Sequence, residues 1–152
     1  MKLTLLGSVV IAAGLLATPA LAQEGMVTTK SASDFATTKT KLTEAIKARM
    51  LNVIAEVDHS AGATAVGLQL RPTHLVIFGN PRGGTPLMGC AQTAGIDLPL
   101  KALVWQAADG AVNVTMNTPA FMGARHKIAE CAAGPLGNIT KALEGIAADA
   151  TK

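Results

Sequence analysis

Residues 72–88 read PTHLVIFGNPRGGTPLM and combine a strand, a turn and a helix start in one segment. His74 and the four apolar residues after it predict a buried β-strand over 74–78. This strand must end at the Gly-Asn-Pro of 79–81 because glycine and proline interrupt a strand. The Arg-Gly-Gly of 82–84 is expected in a loop. The Thr-Pro pair that follows predicts a helix over 86–94, since threonine can cap a helix and a proline in the first turn loses no hydrogen bond.

Hydrophobic periodicity predicts further elements on both sides of this segment. Strands are expected over 26–30, 51–57, 98–106 and 111–116, the last two joined by an Asp-Gly hairpin turn. Helices are expected over 34–49, 119–126 and 136–146, a turn over 58–62, and a weaker strand or helical turn over 63–70. This order predicts a single compact α+β domain, with an antiparallel or mixed sheet of about five strands and helices packed on one face.

The composition is that of a globular protein. The 152 residues are 49% hydrophobic and 15% charged, with a net charge of +3. A disordered chain needs low hydrophobicity and a high net charge, so that class is excluded. The length suits one domain rather than two.

Residues 1–22 follow the order of an export signal. Lys2 precedes an apolar run over 3–16, and a small-x-small ending closes the segment. Cleavage after Ala22 is expected to leave residues 23–152 as one domain, either periplasmic or secreted. The alternative is an uncleaved anchor, but the run is shorter than the ~20 residues that span a bilayer. We therefore expect no membrane contact after cleavage.

The cysteine and aromatic content narrows the function classes. Cys90 and Cys131 form an even pair, which in an oxidising compartment predicts one disulfide. Neither belongs to a Cys-x-x-Cys-His sequence, so covalent haem is excluded and no cofactor is predicted.

The chain has three Phe, one Trp and no Tyr, and it contains no run of Lys and Arg. Nucleic acid is therefore excluded as a partner.

Several stretches resemble the domain-of-unknown-function family 302. They are residues 72–88, the GIDLPLKALVW of 95–105, the VDHSA of 57–61, and the Asn117-x-Pro119 turn that leads to Arg125-His126. The resemblance covers residues 35–128 and implies a TBP-like domain of β-α-β-β-β-β-α order. It implies little about activity, because the family is named for the lack of one. The two cysteines, the Gln-Ala of 106–107 and Met116 depart from the family pattern.

The best candidate site is the glycine-rich stretch from Gly79 to Met88. A helix start after glycines offers backbone N–H groups and the positive end of the helix dipole, which suit an anion. An arginine there can hold a carboxylate or phosphate. The predicted ligand is small and anionic or amphipathic, in a pocket between this stretch, the Asp58–His59 turn and residues 117–126. Its candidate binding residues are Asn80, Arg82, Gly83, Gly84, Thr85, Asp97, Lys101 and Arg125. The alternative is that the stretch only shapes a tight turn.

An enzyme that uses acid–base catalysis is the first alternative function. A histidine held by an aspartate can act as a general base, which makes His59 beside Asp58, or His126, the candidate catalytic residue. Asp97 or Lys101 would support it. This interpretation requires two of the polar pairs to meet in the fold.

Two further functions remain open. Met122 and His126 are four residues apart on one helix face, and with His59 they are candidate copper ligands, because thioether suits Cu(I) and imidazole suits both oxidation states. The opposing interpretation is that Met122 only fills a gap in the core. The last option is a structural module that forms a homodimer.

Overall fold

The computed structural model describes residues 24–152, where it contains five strands and five α-helices. The strands are β1 (Met26–Lys30), β2 (Asn52–Asp58), β3 (Thr73–Gly79), β4 (Leu100–Gln106) and β5 (Val112–Asn117). The helices are α1 (Phe35–Ala48), α2 (His59–Ala65), α3 (Pro81–Cys90), α4 (Pro119–Arg125) and α5 (Ala133–Thr151), with a short 3-10 helix at Gln92–Ile96. The predicted signal, residues 1–22, lies outside the described residues.

The five strands form one antiparallel sheet in the order β1-β5-β4-β3-β2. β4 and β5 are joined by the predicted Asp-Gly turn, in which Gly110 has a φ of 85°. Glycine adopts this left-handed conformation without steric cost. The predicted α+β class and number of strands are confirmed, and the sheet is antiparallel rather than mixed.

Alternate residues of the central strands build the core on one face of the sheet. Val76 of β3 and Val104 of β4 have no exposed surface, and neither do Ile46 of α1 and Ile146 of α5. α1 and α5 pack against each other and cover this face. Complete burial of such a side chain contributes ~1.5–3 kcal/mol. The opposite face, which carries the half-buried Trp105, has no such cover among the described residues.

α3 begins earlier than the sequence predicts. It starts at Pro81 rather than Pro86, so the expected loop over 82–84 is helical. The cap is Asn80, whose side-chain oxygen accepts from the Arg82 N–H at 2.9 Å, and Pro81 occupies the first helical position. Asn80-Pro81 and Thr85-Pro86 both satisfy the rules for a helix start, so the sequence allows either position, and the predicted start at Pro86 is wrong.

Two other predictions differ from the structure. The turn expected over 58–62 is replaced by α2, which the Asp58 carboxylate caps by accepting from the Ala61 N–H at 2.9 Å. Of the weak strand or helical turn expected over 63–70, only 63–65 is helical, as the end of α2, and 66–70 contains no helix or strand. The last helix runs from Ala133 to Thr151, well beyond the expected 136–146. Its alanine-rich end favours helix, and a proline at 135 is tolerated because the first turn has free N–H groups.

The predicted disulfide between Cys90 and Cys131 is present, with a Cα–Cα distance of 6.0 Å. It joins the end of α3 to the connection between α4 and α5. No helix within residues 24–152 is both long enough and apolar enough to cross a bilayer.

The Cys90→Ser/Cys131→Ser variant should melt at a lower temperature than the oxidised wild type. The bond closes a loop over a separation of 41 residues, and the chain-entropy model gives it at most ~4 kcal/mol. Thermal denaturation followed by circular dichroism measures the difference. A reductant should lower the melting temperature of the wild type and leave the variant unchanged. Equal melting temperatures in all four samples would contradict a stabilising disulfide.

Candidate functional site

The glycine-rich stretch lines a cavity of about 230 Å³ at one end of the sheet. The walls come from the start of β2 and the residue before it, the end of β3, α3, the segment that leads into β4, and one residue of α5. The surface they present is almost entirely apolar. The lining residues are Leu51, Ile54, Gly79, Asn80, Pro81, Gly83, Gly84, Thr85, Met88, Leu98, Pro99, Leu100 and Ile139.

Gly84 allows two walls of this cavity to approach each other closely. A Cβ on Gly84 would lie 3.2 Å from the Leu98 side chain, closer than an ordinary contact, whereas one on Gly79 would make an ordinary contact of 3.5 Å with Pro99. Asn80 fixes the junction from the other side, because its side-chain amide donates to the Met50 carbonyl at 3.3 Å. The strand end, the helix start and the segment before β4 are therefore held close together.

The backbone amides that the sequence suggested for an anion are already bonded. The N–H groups of Gly83 and Gly84 donate to the Asn80 carbonyl at 2.9 and 3.2 Å, and the Arg82 N–H donates to the Asn80 side chain. The Arg82 guanidinium, in contrast, makes no hydrogen bond or ion pair with any residue of the described range 24–152. It is the cationic group that an anion could still reach at this helix start.

A second group of predicted residues converges beside the cavity. Asp97 accepts from the Arg125 guanidinium at 2.9 Å through one oxygen, and its other oxygen lies 2.7 Å from His126 Nε2. Asp97 and His126 are nearly buried, whereas the Arg125 side chain is half-exposed. The second ring nitrogen of His126, Nδ1, lies 3.1 Å from the hydroxyl of Thr93. A carboxylate, an imidazole and an exposed hydroxyl thus form one chain of contacts.

The short segment 97–99 joins the polar cluster to the cavity. Asp97 belongs to the cluster, while the next two residues, Leu98 and Pro99, form one wall of the cavity. The Lys101 ammonium group holds this segment, because it donates to the carbonyls of Asp97 and Pro99 at 3.2 and 2.9 Å. Lys101 therefore positions the segment, and its donors are directed at the backbone.

The structure does not bring Asp58 and His59 to this site. β2 pairs with β3 so that Asn52 lies opposite Gly79, at the cavity end, and Asp58 lies opposite His74, at the other end. Six residues of strand, ~20 Å, separate the two ends. The Ser60 hydroxyl and then the Ala61 N–H donate to the Asp58 carboxylate and lower its pKa. Asp58 is therefore an ionised helix cap at neutral pH, and the expected shared pocket does not form there.

The three candidate copper ligands are not grouped, because His59 lies far from the other two. Met122 is 1% exposed and belongs to the core, and both ring nitrogens of His126 already have protein partners. His59 lies at the far end of β2, at the start of α2. Among residues 24–152 no three His, Cys, Asp or Glu side chains are grouped as metal ligands.

Sequence reasoning missed three features. Thr93 lies in a 3-10 helix without a recognisable motif, so nothing marked it as a partner of His126. His74 was expected as an ordinary strand start, but it is buried with Nε2 at 2.6 Å from Glu56, and its Nδ1 has no partner among the described residues. The third missed feature is a cavity of about 540 Å³ between β1, β5 and α5. The sequence feature that could have indicated it is the alanine-rich face of α5.

The fold is similar to that of a solved structure. A crystal structure described as an uncharacterized conserved protein DUF302 from Bacillus stearothermophilus superposes with a TM-score of 0.76. The match covers 86% of this chain and 100% of that chain, at 18% sequence identity. At that identity the likeness shows the fold alone.

Two curated relatives from Brucella are named fluoride-specific ion channel FluC 1. The proteins from Brucella suis and Brucella abortus are each 44% identical over 104 residues, which is 68% of this chain. The match covers 41% and 38% of those proteins, so this chain spans about two fifths of their length.

The family comparison covers most of the described residues. Residues 27–146 match the family described as "Domain of unknown function DUF302". This range includes the cavity, the polar cluster and every residue of the sheet except Met26, the first residue of β1. The chain belongs to the DUF302 family.

Proposed function

We propose that this domain binds a small amphipathic ligand at the glycine-rich stretch, with the apolar part in the cavity and an anionic group at Arg82. The observation that carries the proposal is the combination of an apolar cavity and an unpaired guanidinium on the same helix start. Binding sites for small molecules are typically concave and mostly apolar, with few polar groups to fix orientation.

The occupied amides favour an amphipathic ligand over a simple anion. Because Asn80 already accepts from the first N–H groups of α3, a phosphate or sulfate would find only one cationic side chain there. Removing apolar surface from water contributes ~25 cal/mol per Å², so an alkyl chain in the cavity would supply most of the affinity. The charged end would then set the orientation.

We also propose that the domain acts outside the cytoplasm, either in the periplasm or as a secreted protein. The predicted export signal of residues 1–22 and the Cys90–Cys131 disulfide support this location, because structural disulfides persist in oxidising compartments.

An acid–base activity is the second candidate, and one specific observation favours it. The 2.7 Å contact between Asp97 and His126 holds the imidazole, which leaves Nδ1 beside the Thr93 hydroxyl. A base oriented by a third group and in reach of a hydroxyl is the arrangement that activates an oxygen nucleophile. His59 has no such partner among the described residues, so His126 is the candidate base.

Arg82→Ala should weaken binding of octanoate about tenfold, because a charge-assisted hydrogen bond contributes ~1.5–3 kcal/mol and this one is exposed. Binding of octanol, which has the same chain without the charge, should not change. Isothermal titration calorimetry measures both. The melting temperature should stay constant since Arg82 is exposed. Lys141→Ala, which removes another exposed cation, is the matched control. Equal octanoate affinity in Arg82→Ala and wild type would refute the role of the guanidinium.

Gly83→Leu should abolish binding of both octanoate and octanol. Gly83 lines the cavity, and a Cβ there meets no atom within 4 Å, so the larger side chain fits and occupies the space of the ligand. Gly89→Leu is the control, because Gly89 lies on the same helix with equally open surroundings and does not line the cavity. If Gly83→Leu binds octanol as the wild type does, the ligand site lies elsewhere.

The acid–base candidate is tested by hydrolysis of p-nitrophenyl butyrate. Thr93 would attack the ester carbonyl, its proton would pass to His126, and p-nitrophenolate would leave; water then releases butyrate. His126→Gln should reduce the rate by ~10²–10⁴, the usual contribution of a general base. His59→Gln should leave the rate unchanged. A wild-type rate no higher than that of buffer, or an equal rate in His126→Gln, would exclude this activity.

A further inference from the structure

The segment from Asn52 to Arg71 is exposed to an unusual degree. It contains a complete strand and a complete helix, β2 and α2, yet within the described structure no residue of the segment is buried. Every residue from Thr64 to Arg71 is exposed. Helices and strands in a domain are normally stabilised by burying one apolar face, so these two elements lack the cover that such elements require.

Apolar side chains are concentrated on this segment and its approach. Six of the eight exposed large hydrophobic side chains of residues 24–152 lie between positions 50 and 70. Val66 and Leu68 are 71% and 65% exposed. Single exposed apolar residues are ordinary, but a contiguous group marks an interaction surface. We call residues 52–71 the β2–α2 surface.

The charged residues of the β2–α2 surface are already satisfied within the chain. Glu56 contacts His74 at 2.6 Å, Asp58 caps α2, and Arg71 donates to the Gln106 carbonyl at 3.0 Å. The segment contains no other Lys, Arg, Asp or Glu. A partner of high charge, such as nucleic acid or an anionic membrane, would therefore find no matching field. The cores of protein interfaces are depleted of charge in the same way.

We propose that the β2–α2 surface binds the same surface of a second copy of this chain, forming a symmetric dimer. β2 is the last strand of the sheet, so its outer edge presents backbone groups that no described strand pairs. A two-fold axis beside this edge sets two β2 strands antiparallel, which continues the antiparallel order of the whole sheet. Glu56, Asp58 and Arg71 give the surface of each copy a net charge of only −1, so the repulsion between the two surfaces is small.

The size of the surface fits this partner. A standard interface uses ~20–30 residues and buries ~800 Å² on each side. The β2–α2 surface is a segment of 20 residues, none of them buried, although Val53 is half-buried against the core. Ile54 belongs to this surface and also lines the cavity of about 230 Å³, so the second copy would border the mouth of the ligand site. This proposal does not depend on ligand binding or on acid–base activity.

The first experiment compares the oligomeric state of variants by size-exclusion chromatography with light scattering, using protein purified from an exported preparation. Wild type should have the mass of a dimer. Leu68→Ser/Leu70→Ser should weaken dimerisation about tenfold or more, since apolar anchors dominate interface energy. Ile96→Ser is the control, because Ile96 is 71% exposed and lies outside the surface, and it should remain dimeric. A wild type that stays monomeric at every concentration tested would overturn the proposal.

Hydrogen exchange separates the dimer from other ways of covering the surface. The amides of residues 52–71 should exchange slowly in wild type at high concentration and faster on dilution, while β4 amides should not change. Circular dichroism establishes that the double variant is folded. Protection that persists in a monomer would mean that another part of the same chain covers the surface. That result, or a double variant that dimerises as tightly as wild type, would refute the proposal.

Discussion

The burial of one face of the sheet is the constraint on which the rest of the structure depends. Val76 and Val104 are completely buried because α1 and α5 cover the side on which they lie. This layer extends over the central strands but gives no buried position to β2. The same arrangement therefore produces a well-packed centre and an edge whose apolar side chains have no cover among the described residues.

Asn80 connects this core to the candidate site. It follows Gly79, the buried last residue of β3, and its side chain and carbonyl accept from the first N–H groups of α3. The helix start is thus completed by the protein itself and does not need an anion. Arg82 lies between the lining residues Pro81 and Gly83 without itself lining the cavity, and of the expected anionic or amphipathic ligands we propose the amphipathic one.

The parts of the fold that local pattern determines were predictable. β3 alternates buried and half-buried residues, and such alternation is visible in the sequence. The start of α3 was not predictable, because Asn80-Pro81 and Thr85-Pro86 both suit a helix start and a tertiary contact of Asn80 with the Met50 carbonyl favours the first. α2 was missed because it lacks hydrophobic periodicity, which follows from its having no buried residue in the described chain. The sequence identified Asp97 and His126, but their contact across 29 positions is a product of packing.

Two links of different chemistry, a disulfide and a group of polar contacts, join the segments 90–97 and 125–131 beside the cavity. The disulfide links Cys90 to Cys131, and the polar cluster links Asp97 to Arg125 and His126. A covalent bond acts mainly by restricting the unfolded chain, whereas a nearly buried carboxylate contact acts on the folded state and requires definite geometry. The disulfide alone would allow the two segments to shift against each other, and the carboxylate contact fixes their relative position. Because Leu98 and Pro99 follow Asp97 directly, the contact that fixes Asp97 also fixes the cavity wall that these two residues form. The shape of the cavity is therefore coupled to both links, because Asp97 precedes the wall of Leu98 and Pro99, and Cys90 ends the helix that carries the lining residue Met88.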